Sequence, residues 1–154
     1  MLEHETIKNH LEEILRLVGI AHDGVQHLDD ENGARLCIKT ADSGALIGQG
    51  GDTLAALNHI VKRIAMRGGK EEEQKEMFYI DVNGYQEKIF SDIKAKAKVL
   101  AERAKSLQAN IEMEPMSAYE RLFVHSFLSK DAEVKTESKG EGRNRRVVIK
   151  YNAL

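Results

Sequence analysis

At 154 residues the chain is long enough for one ordinary domain or two very small ones, and 42% hydrophobic with 31% charged residues excludes a disordered polymer. Aromatic residues reach only 5% and tryptophan is absent, which excludes a broad base-stacking platform. The net charge is −2, but acids prevail up to Thr40, whereas Arg121, Lys130, Lys135, Lys139, Arg143, Arg145, Arg146 and Lys150 outnumber the acids after Met116. A polyanion would therefore meet the C-terminal part.

In chain order, Ile7, Leu11, Ile14, Leu15 and Val18 share one stripe, which predicts an amphipathic helix over residues 5–18, stopped by Gly19. Strands are expected around 21–28 and 34–40, with Asp29-Asp30-Glu31-Asn32-Gly33 as a hairpin turn. The second contains Leu36-Cys37-Ile38, where the single cysteine reads as a small buried hydrophobe in a reducing compartment. A glycine-rich stretch, Ala41 to Asp52, precedes a helix to about Met66 that carries Leu54, Leu57, Val61 and Ile64. The charged patch 67–76 reads as a loop, and alternating Phe78, Ile80 and Val82 as a half-buried strand.

A long helix is predicted from Tyr85 to Ala109, with Ile89, Ile93, Ala97, Leu100, Ala104 and Leu107 inward and Lys94, Lys98 and Lys105 on a solvated face. Ser117-Ala118-Tyr119-Glu120 has capping-box spacing and opens a helix to about Ser129, in which Tyr119, Phe123 and Phe127 read as core. Strands near 133–138 and 145–151 close the chain around a loop with two glycines. The start lacks the basic and apolar runs of a signal peptide, and no stretch approaches the roughly 18 apolar residues that span a bilayer. A cytoplasmic protein without stable membrane insertion is the expectation.

Gly48-Gln49-Gly50-Gly51 lies between Leu46-Ile47 and the helix starting near Asp52. Such a corner lets another backbone come close, and the helix N-terminus behind it suits a phosphate. No Lys-Ser/Thr pair follows, so this is not a Walker A loop, and the preceding helix–strand–strand is not a dinucleotide unit. The order αββααβ around this loop resembles a type II KH domain, whose GXXG loop clamps about four unpaired nucleotides. Lysine or arginine often occupies the middle of that loop, whereas here Gln49 and Gly50 leave the work to backbone amides, helped by Lys62 or Arg63 nearby. A structural turn or a protein-binding surface is the alternative.

Arg121 and His125 are four residues apart and project from one helix face, as two donors toward a phosphate. With Pro115-Met116 before them, Thr136-Glu137-Ser138-Lys139-Gly140-Glu141-Gly142 after them, and then Arg145-Arg146-Val147, they resemble the R-3-H (Arg-x-x-x-His) domain. The two motifs in this order are similar to the bacterial Jag/KhpB (SpoIIIJ-associated) family over essentially the whole chain, without that family's N-terminal Jag domain. The resemblance implies a KH-like domain over 1–84 and an Arg-x-x-x-His domain over 85–154 including the connecting helix, an α+β fold with a small three-stranded sheet on helices. It implies binding of single-stranded RNA or DNA, a small single-KH protein as partner, and RNA chaperoning or post-transcriptional regulation linked to cell-envelope growth. Self-association stays open.

On that resemblance the nucleic acid meets Gly48, Gln49, Gly50 and Gly51 in the first module and Arg121, His125, Ser138, Lys139, Gly140, Arg143 and Arg145 in the second. For Thr136 and Ser138 a turn-forming role is the alternative. Six scattered histidines and one cysteine show no metal-ligand spacing, so neither a metal, a cofactor nor a catalytic residue is expected. Two further classes remain: an adaptor that binds proteins only, and a ribonuclease using the Arg121–His125 pair.

Overall fold

In the computed structural model, which describes residues 2–30, 33–68 and 78–154, the first apolar stripe is helix α1 (Leu2–Leu17). Leu11 and Leu15 are fully buried, with Ile7 and Ile14 packed beside them, but Val18 lies beyond the helix and is 62% exposed. The helix stops because Gly19 turns left-handed: its N–H donates to the Arg16 carbonyl at 3.2 Å, and that of Ile20 to Leu15 at 3.0 Å.

Strand β1 (Val25–Asp30) pairs antiparallel with β2 (Gly33–Ile38), which pairs parallel with β3 (Phe78–Val82), so the sheet order is β1-β2-β3. Residues 21–24 turn instead of extending, and the Gly24 N–H donates to His22 Nδ1 at 3.0 Å. Glu31, Asn32 and most of the charged patch lie outside the described residues. Between β2 and β3 run a short helix α2 (Ser43–Ile47), a 3-10 turn at Gln49–Gly51 and helix α3 (Asp52–Ala65). Leu46, Leu54, Leu57 and Val61 from these helices meet Leu36, Ile38, Ile80 and Val82 of the sheet in one core.

Strand β3 is buried on both faces, not half-buried as its alternation suggests. Tyr79 (1% exposed) donates its hydroxyl to Asp30 Oδ2 at 2.9 Å, and Asp81 (2%) accepts from the Gln86 N–H at 2.8 Å. Arg35 lies 3.7 Å from both carboxylates. Burial, then the bond to Asp30, pushes the Tyr79 phenol well above its ordinary range. Pairing is what allows these polar alternates inside. Cys37, on the same strand face as Arg35, is half-buried, not buried.

The chain divides into two units, Met1–Gln86 and Glu87–Leu154. Helix α4 (Tyr85–Leu107) begins in the first, and its Ala97, Ala101 and Ala104 are buried in the core of the second. Leu107 is 64% exposed, since Gln108 leaves the helix with φ 49°. Lys105 is not on a solvated face: its Nζ is 2.8 Å from both Glu102 Oε1 and Asp131 Oδ2. Lys94 lies over the Phe127 ring at 5.5 Å, which leaves Lys98 as the exposed member of the three.

A two-residue strand β4 (Ile111–Glu112) follows, too short to leave a periodic signal. Then come helix α5 (Ala118–Leu128), strand β5 (Val134–Lys139) and strand β6 (Arg146–Tyr151) in an antiparallel sheet of order β4-β6-β5. The capping box at Ser117 is complete: its hydroxyl accepts from the Glu120 N–H, while the Glu120 carboxylate accepts from the Ser117 N–H. Val124 and Leu128 meet Met113, Val134, Val147 and Ile149 in the core. Phe123 stacks on Phe90 at 4.6 Å, and Tyr119 lies 5.5 Å from the same ring, so the aromatic positions of α5 serve packing. Both units are mixed α+β, each a three-stranded sheet with helices.

Candidate nucleic-acid interface

In the second unit, alternation along β5 decides which side chains meet. Val134, Thr136 and Ser138 point to the α5 side of the sheet, while Lys135, Glu137 and Lys139 are exposed on the other. From α5, His125 reaches across to both hydroxyls: Nδ1 is 2.7 Å from Thr136 Oγ1 and Nε2 is 3.0 Å from Ser138 Oγ. Both hydroxyl residues belong to a strand, so the turn-forming alternative falls. One turn earlier on the helix, Arg121 Nη1 donates to the Met116 carbonyl at 2.9 Å. The Met116 N–H in turn donates to the Arg145 carbonyl at 3.2 Å.

Arg145 is held by its own loop, donating from Nη1 to the Gly140 carbonyl at 3.0 Å. Gly140 has φ 92°, and a Cβ there would come within 2.9 Å of the Asn144 carbonyl oxygen, so only glycine closes this loop. Arg121 and Arg145 thus flank one peptide segment, and among the described residues neither has a carboxylate within ion-pair distance. Burial, and then the charge of Arg145, lowers the pKa of Arg121, with Glu120 opposing. Burial, and then Arg121, likewise holds His125 below its ordinary range, which favours the neutral ring.

The other expected residues separate from this cluster. Lys139 faces the opposite side of β5, 3.3 Å from Glu112, which also lies 3.6 Å from Arg146. Arg143 sits exposed on a 3-10 turn, Gly142–Asn144.

In the first unit, the glycine corner is at the surface: Gln49 and Gly50 are exposed, Gly48 and Gly51 half-buried. Gly48, Gly50 and Gly51 all have positive φ. A Cβ on Gly48 would fall 2.1 Å from Thr53 Oγ1, and one on Gly51 would fall 3.1 Å from the Tyr85 hydroxyl. Some of the amides are already used, since Gly48 N–H donates to Gly44 and Gly51 N–H to Gly48. The exposed tip is Gln49-Gly50, with the Gln49 carbonyl accepting from the Asp52 N–H. Lys62 and Arg63 lie in the last turn of α3, about 15 Å along the helix from the loop at 1.5 Å per residue, so neither assists it. Burial instead brings Lys62 down to about 8, over the Phe78 ring.

Thr53, against which a Cβ on Gly48 would fall, carries no motif by which the sequence would single it out. Among the described residues there is no group of three metal-ligating side chains, and no helix is long and apolar enough to cross a membrane.

The second unit, with its Arg/His cluster on a capped helix against a three-stranded sheet, is of a known class: residues 92–151 match the family model of the R-3-H domain. Over more of the chain, the sequence is similar to the RNA-binding protein KhpB of Clostridium symbiosum, 29% identical over 90% of this chain and 62% of that protein. It is also similar to the proteins of that name from Bacillus subtilis, 33% identical over 69% of this chain and 50% of the relative, and Lactiplantibacillus plantarum, 28% identical over 75% and 35%. The chain thus spans between about a third and two thirds of the length of these relatives.

Proposed function

We propose that this chain binds single-stranded nucleic acid, RNA in particular, without cleaving it. The observation that carries the reading is the pair of adjacent arginines, Arg121 and Arg145, with no carboxylate within ion-pair distance of either among the described residues. Two neighbouring cations repel each other, and a bound phosphate relieves that repulsion. The match to the R-3-H model and the name of the relatives support the same ligand.

The first unit is proposed as a KH-like module. The order helix–strand–strand–helix–helix–strand, the mixed sheet and the exposed Gln49-Gly50 tip support this. With its domains taken as 1–84 and 85–154, each module would offer its own contact place for nucleic acid. The resemblance to the Jag/KhpB family adds a cytoplasmic RNA chaperone or post-transcriptional regulator connected with envelope growth, with a small single-KH protein as partner. A nuclease needs a free general base, and His125 has both ring nitrogens engaged by hydroxyls, so catalysis is not part of the proposal.

Titrating the full chain with a fluorescent oligouridylate at several salt concentrations tests the proposal. Affinity should fall with a log–log slope of about −0.7 per neutralised phosphate. Arg121→Ala should weaken all sequences alike and make the slope shallower by about one contact. Binding that is unchanged in the Arg121→Ala/Arg145→Ala double variant would exclude the cluster.

A further inference from the structure

The contacts of His125 carry more than a phosphate site. A neutral imidazole has one N–H and one bare nitrogen, and here each faces a hydroxyl, on Thr136 and Ser138. The hydroxyl that accepts from the ring N–H keeps its own proton free to donate outward. The one that gives its proton to the bare nitrogen offers only lone pairs. Whichever tautomer holds, the half-buried pair presents one donor and one acceptor, beside two arginines that only donate.

A phosphodiester has no hydrogen to give, so the acceptor-only hydroxyl is wasted on it. A ribose 2′-hydroxyl both donates and accepts, and deoxyribose has no such group. We infer that His125 is a positioning residue that fixes Thr136 and Ser138 as a reader of the ribose 2′-hydroxyl, so that this cluster selects RNA over single-stranded DNA. The inference rests on the proposed binding at Arg121 and Arg145. Those arginines hold the strand, and the hydroxyls distinguish its sugar.

The charged group acting on the ring is Arg121 on its own helix; Arg145 acts on Arg121 in turn, and β5 contributes only the two hydroxyls to the ring. When the ring is protonated, both nitrogens donate, and both hydroxyls become free to donate outward. The acceptor-only position disappears, and phosphate is favoured whatever the sugar.

The test uses the full chain with two probes that differ only in the sugar, an oligouridylate and an oligodeoxyuridylate of equal length. At neutral pH the wild type should prefer the ribose probe roughly three- to tenfold, about what one net neutral hydrogen bond contributes. Thr136→Val and Ser138→Ala should weaken the ribose probe alone and bring the ratio toward one. Arg121→Ala should weaken both probes and keep the ratio. Acidification through the ring's titration should lower the ratio in the wild type and leave it flat in His125→Gln, a change that a purely packing histidine would not cause. Equal loss on both probes in the hydroxyl variants, or a wild-type ratio of one, overturns the inference while an Arg121 effect leaves the binding proposal standing. No Arg121 effect on either probe overturns both.

Discussion

Asn83 and Thr40 exchange two hydrogen bonds, Asn83 Nδ2 donating to the Thr40 carbonyl at 2.7 Å and the Thr40 N–H donating to Asn83 Oδ1 at 3.1 Å. Asn83 adopts φ 52°, a left-handed conformation that asparagine tolerates better than most residues. The pair ties the turn before α4 to the segment leading into α2 and the glycine corner. Thr40 is only 8% exposed, so its peptide has little access to water as a substitute partner. Asn83→Ala is expected to cost about 2–3 kcal/mol, two lost bonds plus left-handed strain. Asn83→Gly should fall between, since it relieves the strain but restores no bond. Urea unfolding of the three proteins checks the order.

Gly48 and Gly50 both have positive φ but different surroundings. A Cβ on Gly48 would strike the side chain and the backbone nitrogen of Thr53, at 2.1 and 2.9 Å, whereas nothing lies within 4 Å of one on Gly50. Gly50→Ala should therefore cost about 1–2 kcal/mol from conformation alone. Gly48→Ala must also displace the start of α3 and should cost more. Thr53→Ala should not rescue it, because the backbone nitrogen remains in the way. Melting curves of the single and double variants decide this.

The end of α4 invites stabilisation. Ala109 N–H donates to Ala104 and Gln108 N–H to Lys105, at 3.2 and 3.3 Å, the pattern that usually has glycine where Gln108 stands. Gln108→Gly removes left-handed strain at an exposed site and should stabilise by about 0.5–1 kcal/mol, after allowing for the freer unfolded chain. An unfolding midpoint lower than the wild type's would refute it.

His125 makes the free protein sensitive to acid. Its folded pKa lies below the ordinary 6.5, so its contribution is fully present above that pH and is lost as pH falls through the folded value. Without nucleic acid, stability should decline across that window, and His125→Gln should remove this part of the decline. The difference between the two unfolding free energies, followed from about pH 7.5 downward, is the quantity to measure. A constant difference would show that the ring is not held neutral.

Much of this was legible in the sequence where a rule is local. Ser117 and Glu120 sit three apart, and the capping box they announce is complete; Gly19 ends α1 as expected, and Tyr119, Phe123 and Phe127 pack as their spacing implies. What depends on partners distant in sequence was not legible. Tyr79 and Asp81 read as an outer face until Asp30 and Arg35 are seen beside them, and Lys105 reads as solvated until Asp131 arrives. For the candidate site, the residue types at Arg121, His125, Ser138 and Arg145 were readable. The strand parity that brings Ser138 to His125 and turns Lys139 away could be assigned only once the register of β5 on β6 was known.

The arginines, the imidazole and both hydroxyls all fall between positions 121 and 145, in one helix and the hairpin that follows it. Assembling them closes only short loops, whose entropic cost is small and grows slowly with length. The cluster is therefore expected to form early in folding, independently of the longer-range pairing of β2 with β3 in the first unit. Hydrogen exchange would then place the slowest amides of α5 and β6 apart from those of β2 and β3.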